Sequence, residues 1–185
     1  NSIKTLKNIQ SSNPEVILIT GDLGQSTAKE WIELSEFMDR NKMYTVLGDA
    51  DLLERNDYLK YSALNSDYYS FNYQNIHFLA ISTNEEKDNE LGIVSDAVQL
   101  DFIINDLNNA ADDPKTDWTI VMLHHPMYTS TPNLYSMILR DTLQPTFDLY
   151  GVDLVINGHK HAYERTNPVI FNNIITDDEN CSYYE

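Results

Sequence analysis

The sequence predicts an α/β fold, because short apolar runs that resemble strands alternate with stretches that have helical periodicity. Residues 16–19 are continuously apolar, as expected for a parallel strand that is covered on both faces. Residues 95–110 repeat apolar side chains at helical spacing. This alternation is typical of sheets layered against helices, and binding sites in such folds lie beyond the carboxyl ends of the strands.

Turn-forming residues divide the first half of the chain into successive elements. Apolar side chains at every third or fourth position indicate helices, whereas short continuous or alternating runs indicate strands. The predicted elements are a helix at residues 2–10, a strand at 16–20, a helix that buries Trp31, Leu34, Phe37 and Met38, a strand at 44–47, a helix plus loop at 52–67, and a hairpin of strands 68–73 and 76–81.

The second half repeats the same kinds of pattern. Its predicted elements are a helix at residues 95–110, a strand at 118–123, a helix at 134–150, a strand at 152–156 and a hairpin of 169–171 with 174–175 about Asn172-Asn173. Pro145 is expected to kink or break its helix, because proline lacks a backbone donor and clashes with the preceding turn.

Composition indicates a single acidic domain. The chain has 185 residues, of which 42% are hydrophobic, and this is enough for one domain with its own core. The formal net charge of −17 argues against nucleic-acid binding, which depends on basic side chains that neutralise phosphates. No apolar run approaches the length of a membrane span. Cys181 is the one cysteine in the sequence, so no disulfide can form within the chain.

Four predicted strands end in residues that can bind metal ions. These residues are Asp22, Asp49, His124, and His159 with His161. Because the carboxyl ends of strands meet at one edge of a sheet, we expect these side chains to converge there. Carboxylate and imidazole donors together suit zinc, iron or manganese. In this hypothesis Asp22 bridges two ions. Asp49, His124 and His159 complete one ion site, and His161 binds the second ion.

The most specific pattern lies near the end of the chain, where residues 158–166 read GHKHAYERT. Residues 124–128 read HHPMY after the strand that begins at Trp118, and residues 68–71 read YYSF. Over residues 13–172, these segments resemble the purple acid phosphatases, a branch of the calcineurin-like metallophosphoesterase family. The resemblance implies a layered β sandwich flanked by helices and phosphomonoester hydrolysis at a binuclear iron-metal centre. It also implies a phosphorylated small molecule or phosphoprotein as substrate and an extracellular or secretory location.

Several positions depart from the pattern of that family. Gln25 stands where the resemblance implies a tyrosine ligand, and Ala50 stands where it implies a histidine that assists the leaving group. Asp49 replaces an asparagine ligand and can still bind a metal ion. The first motif of the family, an aspartate after the first strand, is not found. We therefore expect one metallophosphoesterase domain over residues 1–185 that is incomplete at its N-terminal strand. Beside the strand at 16–20 we expect a strand from sequence upstream of residue 1 or from another chain, or else a rearranged sheet.

Other polar residues are expected to surround the ligands rather than to bind the ions. They are Gln25, Asp51, His125, Glu164 and Arg165. His125 is expected to point away from the site, because it directly follows a predicted ligand. Glu164 and Arg165 are expected to form an ion pair behind the site. No catalytic residue is assigned.

Two functions from different classes fit this sequence. The first is a metal-dependent phosphomonoester hydrolase with impaired activity, in which His125 or Asp51 can substitute for the missing acid. The second is a catalytically inactive module of the same fold with a binding or structural role. The retained histidines favour the first function, whereas Gln25 and Ala50 favour the second.

Overall fold

The computed structural model of the protein describes residues 2–23, 33, 36, 41–52, 55–62, 64–84, 96–132, 134–170 and 173–174. The helices are α1 (Ser2–Ser11), α2 (Asp49–Leu52), α3 (Arg55–Ser62), α4 (Ala97–Asp112) and α5 (Leu134–Tyr150). The strands are β1 (Ile17–Ile19), β2 (Met43–Thr45), β3 (Tyr69–Tyr73), β4 (Ile76–Ala80), β5 (Trp118–Met122), β6 (Leu154–Ile156), β7 (Val169–Ile170) and β8 (Asn173–Ile174). The predicted helix that carries Trp31, Leu34, Phe37 and Met38 lies outside the described residues.

The described strands form two main sheets. The larger has the order β3-β4-β5-β6, in which β3 and β4 are an antiparallel hairpin and β4, β5 and β6 run parallel. The smaller pairs β1 with β2 in parallel, as expected when a crossover connects two buried strands. The carboxyl ends of the parallel strands therefore provide the edges at which loops from different parts of the chain meet.

The two sheets pack face to face between layers of helix. Between them, Val46 is buried with Phe78 and Met122. On the outer face of the larger sheet, β4 and β5 pack against the buried side chains of α4 and α5. On the outer face of the smaller sheet, Leu6 of α1 and Tyr58 of α3 are buried together with residues of β1 and β2. This order of layers confirms the β sandwich flanked by helices that the family resemblance implies.

Strand β1 lies at an edge of the described structure. Its register pairs Ile17 with Met43 and Ile19 with Thr45, and among the described strands only β2 is its neighbour. Leu18 is consequently only partly buried, although an apolar residue in the middle of such a strand is normally covered on both faces. The fold is therefore partial beside β1, in agreement with the expected lack of an N-terminal strand.

Two sequence predictions about secondary structure are corrected. Helix α5 continues through Pro145, so of the two expected outcomes the break is wrong and the kink stays a prediction. Leu143 and Phe147 are buried on either side of the proline, and their packing holds the helix in place. In the last hairpin, Ile170 pairs with Asn173, so the connection lies one residue earlier than predicted. Both strands of that hairpin are two residues long, which leaves little apolar pattern to fix the register.

No helix in the described ranges is both long enough and apolar enough to cross a membrane.

The packing of α5 leads to a stability prediction. Leu139 is 0% exposed within the main core, whereas Leu149 on the same helix is 74% exposed. Leu139→Ala should reduce the free energy of unfolding by about 2–5 kcal/mol, because it removes buried methyl groups and leaves a cavity. Leu149→Ala is the matched control and should change it by less than about 0.5 kcal/mol. Urea denaturation measures both values, and equal effects would contradict the layer arrangement.

Candidate metal centre

The side chain and the backbone of His124 together join three strand ends. This residue follows β5, and its Nδ1 lies 2.7 Å from the carbonyl oxygen of Thr20, which follows β1. Its own carbonyl accepts a hydrogen bond of 3.0 Å from the backbone N–H of Gly158, which follows β6. The site therefore forms where the two main sheets meet at their carboxyl edges.

The bond to Thr20 fixes the tautomer of His124. A backbone carbonyl can only accept, so Nδ1 must carry a proton, and in the neutral imidazole Nε2 is left with a lone pair. Nε2 is buried and has no hydrogen-bond partner among the described residues. It lies 3.4 Å from Oδ2 of Asp22 and 3.7 Å from Oδ2 of Asp49. A buried lone pair that faces two carboxylates is unfavourable unless a metal ion binds there or Nε2 takes up a second proton.

Asp49 is the carboxylate around which the histidines gather. Its Oδ1 lies 3.1 Å from Nε2 of His125, and its Oδ2 lies 3.0 Å from Nδ1 of His159. One ligand atom from each of Asp49, His124, His125 and His159 can be chosen so that all four lie within 4.8 Å of one another. These nitrogen and oxygen donors fit zinc, iron or manganese, in agreement with the buried lone pair of His124.

The close approach of these side chains shifts the pKa values of Asp49, His124 and His159. The side chains of His124 and His125 hold the pKa of the Asp49 carboxyl well below its usual range. Burial lowers the pKa of His124, but Asp49, the carbonyl of Thr20 and the charge of Asp22 outweigh burial and raise it. Burial, followed by the charge of His125, lowers the pKa of His159. Without a metal ion, a proton on His124 can therefore supply the positive charge that this site requires.

Asp22 is held beside the cluster by a sharp turn after β1. Gly21 and Asp22 both have left-handed backbone angles, with φ of 89° and 54°. Oδ1 of Asp22 accepts a hydrogen bond of 2.9 Å from the backbone N–H of Ala50. A β-carbon on Gly48 would overlap the backbone nitrogen and Oδ1 of Asp22, so only glycine permits this approach. Oδ2 of Asp22 remains directed toward His124.

The loop after β6 brings one of its two predicted histidine ligands into the cluster. His159 joins it, whereas His161 is exposed and is not part of it. The cause is the backbone, because φ is 68° at His159 and 50° at His161. The N–H of Lys160 also bonds back to the carbonyl of Gly158 at 2.8 Å. An extended loop would direct both imidazoles to one side, but this tight turn separates them.

His125 lies in the site, although the sequence analysis expects it to point away from the site. That expectation assumes that residues after β5 alternate as they do in a strand, but β5 ends at Met122 and the chain bends at 124–125. The imidazole of His125 is held from behind by Thr83. The hydroxyl oxygen of Thr83 lies 3.0 Å from Nδ1 of His125 and accepts its backbone N–H at 3.1 Å. Sequence reasoning missed Thr83, which belongs to no motif.

The remaining predicted neighbours of the site have structural partners or lie outside the described residues. Oδ2 of Asp51 accepts the backbone N–H of Gly48 at 3.0 Å, and Asp51 is fully buried. Glu164 accepts hydrogen bonds from the hydroxyl and the backbone N–H of Ser130. No ion pair joins Glu164 to the exposed Arg165 in the described part of the chain, which corrects the expected pairing. Gln25 is outside the described residues.

The fold and the site together define a metallophosphoesterase. The sequence model of the calcineurin-like phosphoesterase family matches residues 1–163, and the chain belongs to that family. Within the family it belongs to the purple acid phosphatase branch. Purple acid phosphatase 15 of Arabidopsis thaliana is 34% identical to it over 104 residues, which are 55% of this chain and 18% of that protein. The chain thus spans well under two thirds of this relative.

Two solved structures have the same fold. Purple acid phosphatase PPD1 from yellow lupin seeds superposes with a TM-score of 0.64 and 20% identity, over 91% of this chain and 34% of that one. GAP50, described as the anchor in the inner membrane complex of Plasmodium, superposes with a TM-score of 0.64 and 19% identity, over 86% of this chain and 60% of that one. These identities are low, so the two likenesses concern the fold alone.

The close approach at Gly48 leads to a prediction about metal affinity. Gly48→Ala should weaken binding of zinc, because its β-carbon would displace Asp22, whose Oδ2 lies beside His124 at the edge of the cluster. Gly151 provides the control, since nothing lies within 4 Å of its β-carbon position. Its φ of 68° means that Gly151→Ala costs about 1 kcal/mol of stability. That control should retain the zinc affinity of the unaltered protein. Titration calorimetry distinguishes the two variants, and unchanged affinity in Gly48→Ala would contradict the assigned position of Asp22.

Proposed function

We propose that this chain is a metal-dependent phosphomonoester hydrolase of the purple acid phosphatase type, with an impaired rate. The observation that carries the proposal is the buried Nε2 of His124, which faces Asp22 and Asp49 and lacks a hydrogen-bond partner among the described residues. Membership of the metallophosphoesterase family supports a phosphoester as the substrate class.

The residues of the cluster would hold the metal ion and keep it oriented. His124 is fixed by Thr20, His125 is fixed by Thr83, and Asp49 lies between the imidazoles. When bound, a metal ion in such a site activates water and stabilises the negative charge of a phosphate. Asp49 has 49% of its side chain exposed, so solvent and a small phosphoester can reach this side of the cluster.

The impaired rate follows from Ala50 in α2, which stands where the family resemblance implies a histidine. A positioned general acid contributes about 100- to 10,000-fold to a rate, and Ala50 has no proton to donate to a leaving group. Its backbone N–H is already bonded to Asp22. Asp49 adds negative charge close to where a phosphate must approach. Each of these features lowers the expected rate.

The two substitutes for the missing acid are both poorly placed. Asp51 is fully buried and bonded to the backbone of Gly48. His125 directs its Nε2 at Asp49 rather than at open solvent. Neither group is free to donate a proton to a departing alcohol, which supports impaired rather than ordinary turnover.

The second candidate function is a catalytically inactive module with a binding or structural role. Ala50 is the observation that favours it, because a binding module does not require an acid at that position. GAP50, which has a similar fold, is described as an anchor in a membrane complex, and this supports the idea that such a fold can serve a structural role. The absence of measurable turnover in protein that binds its metal would favour this function.

Three further expectations belong to the same proposal. The substrate is a phosphorylated small molecule or phosphoprotein, and the protein acts outside the cell or in the secretory pathway. A strand from another chain can pair with the free side of β1. The edge position of β1 among the described strands supports this pairing.

Turnover of an aryl phosphate tests the proposed reaction. Metal-loaded protein should hydrolyse it well below the roughly 1–1,000 per second of ordinary enzymes, across acidic to neutral pH. His124→Ala should remove the remaining activity, because it removes the most buried ligand. Leu149→Ala, at an exposed position of α5, is the matched control and should behave as the unaltered protein does. If the unaltered protein turns over at an ordinary rate and His124→Ala abolishes that turnover, the proposed impairment is wrong but the proposed hydrolase function stands.

A further inference from the structure

We propose that this chain binds a single divalent ion through three histidines and one aspartate, with His125 as the third histidine. The ligand set is His124 Nε2, His125 Nε2, His159 Nδ1 and a carboxylate oxygen of Asp49. The inference deepens the metal-binding part of the proposed function and does not depend on turnover. It replaces the pair of ions that the sequence analysis expects with one.

The spacing of the four ligand atoms suits a tetrahedral ion. Zinc bonds to nitrogen and oxygen are about 2.0–2.1 Å long, so tetrahedral ligand atoms lie roughly 3.3–3.4 Å apart. Oδ2 of Asp49 lies 3.0 Å from Nδ1 of His159 and 3.7 Å from Nε2 of His124, and Oδ1 lies 3.1 Å from Nε2 of His125. The carboxylate–imidazole distances are therefore near the ideal separation, whereas ligand atoms up to 4.8 Å apart would have to move closer together around an ion.

The three imidazoles are arranged around one point. The rings of His124 and His125 have centroids 4.9 Å apart and planes 87° apart, and those of His124 and His159 are 5.3 Å and 80° apart. The rings of His125 and His159 are 4.5 Å apart. The last pair is tilted by 44°, and the other two are edge-on, so none of the three pairs is stacked. One nitrogen of each ring lies within 3.7 Å of an Asp49 oxygen, which brings the three nitrogens to the same side chain. Imidazole nitrogens of this kind favour zinc and neighbouring first-row ions over magnesium or calcium.

Thr83 gives His125 the orientation that a ligand requires. Its hydroxyl oxygen lies 3.0 Å from Nδ1 of His125 and can accept the Nδ1 proton, because a hydroxyl has two lone pairs. That tautomer leaves a lone pair on Nε2, on the side that faces Asp49. Thr83 is itself 0% exposed, and its carbonyl accepts a hydrogen bond from the hydroxyl of Tyr135. Thr83 thus holds the ring of His125 in position and permits the tautomer that a ligand requires, although unlike the carbonyl of Thr20 its hydroxyl can also donate.

A second ion has too few ligands in the described part of the chain. His161 is exposed and outside the cluster, and Ala50 offers no side-chain donor. Oδ1 of Asp22 is already bonded to the N–H of Ala50, so only Oδ2 remains to approach an ion. The described residues form one group of four metal-ligating side chains. A single ion satisfies that group and also the buried Nε2 of His124.

Cobalt titration of the full chain, stripped of metal by a chelator, tests the number of ions and their geometry. Visible absorption should increase up to one cobalt ion per chain and then stop, with the strong bands of four-coordinate cobalt. His161→Ala should give the same end point and the same bands. Saturation at two ions per chain, or a lower end point in His161→Ala, would overturn the single-ion site.

The role of His125 is tested by two further sets of variants. His125→Ala should weaken the strong cobalt bands and lower the affinity. Thr83→Val should lower cobalt affinity by about 10- to 100-fold, the usual effect of removing a partner of a ligand. Thr83→Ser retains the hydroxyl and should restore affinity. Circular dichroism checks that each variant is folded.

Unchanged affinity and bands in folded His125→Ala would overturn the role of His125. If that variant does not fold, equal affinities of the Thr83→Val and Thr83→Ser proteins would overturn it instead. None of these readouts uses phosphate hydrolysis, so failure of the single-ion site and failure of the proposed reaction are distinguishable.

Discussion

The hydrogen bond from Nδ1 of His124 to the carbonyl of Thr20 is the constraint on which the site depends. It joins β5 of the larger sheet to β1 of the smaller sheet, and the carbonyl of His124 extends the connection to the loop after β6. The same bond fixes the tautomer of His124, so it directs a lone pair into a buried space between carboxylates. One interaction thus links the packing of the two sheets to the chemistry of the cluster, and either sheet is insufficient alone.

The first two residues of α2, Asp49 and Ala50, determine how the site differs from the pattern of the family. Asp49 provides a charged ligand that all three imidazoles approach, and this favours retention of a cation. Ala50 has no side-chain proton to donate, but its backbone N–H holds Asp22 in place. The proposed combination of retained ion binding and weakened acid catalysis would therefore originate in one short segment.

The sequence predicts most of the fold, because strands and helices follow from hydrophobic periodicity alone. Helix α5 has the predicted bounds, and the hairpin of β3 and β4 has the predicted turn. The site is harder to predict where the chain leaves regular structure. The direction of His125 depends on a bend after β5, and the separation of His159 from His161 depends on left-handed backbone angles. Such conformations are set by tertiary contacts, for example with Thr83, which lies outside every motif.

The open side of β1 has a consequence for the behaviour of the protein at high concentration. Ile17 and Ile19 direct their backbone groups at β2, so those of Leu18 face the side on which no described strand lies. Such an edge is a template on which another molecule can add a strand and begin a chain of associations. The formal charge of −17 opposes that process, since two copies of this chain repel each other as they approach. Surface charge thus protects colloidal stability here, and salt that screens it weakens the protection.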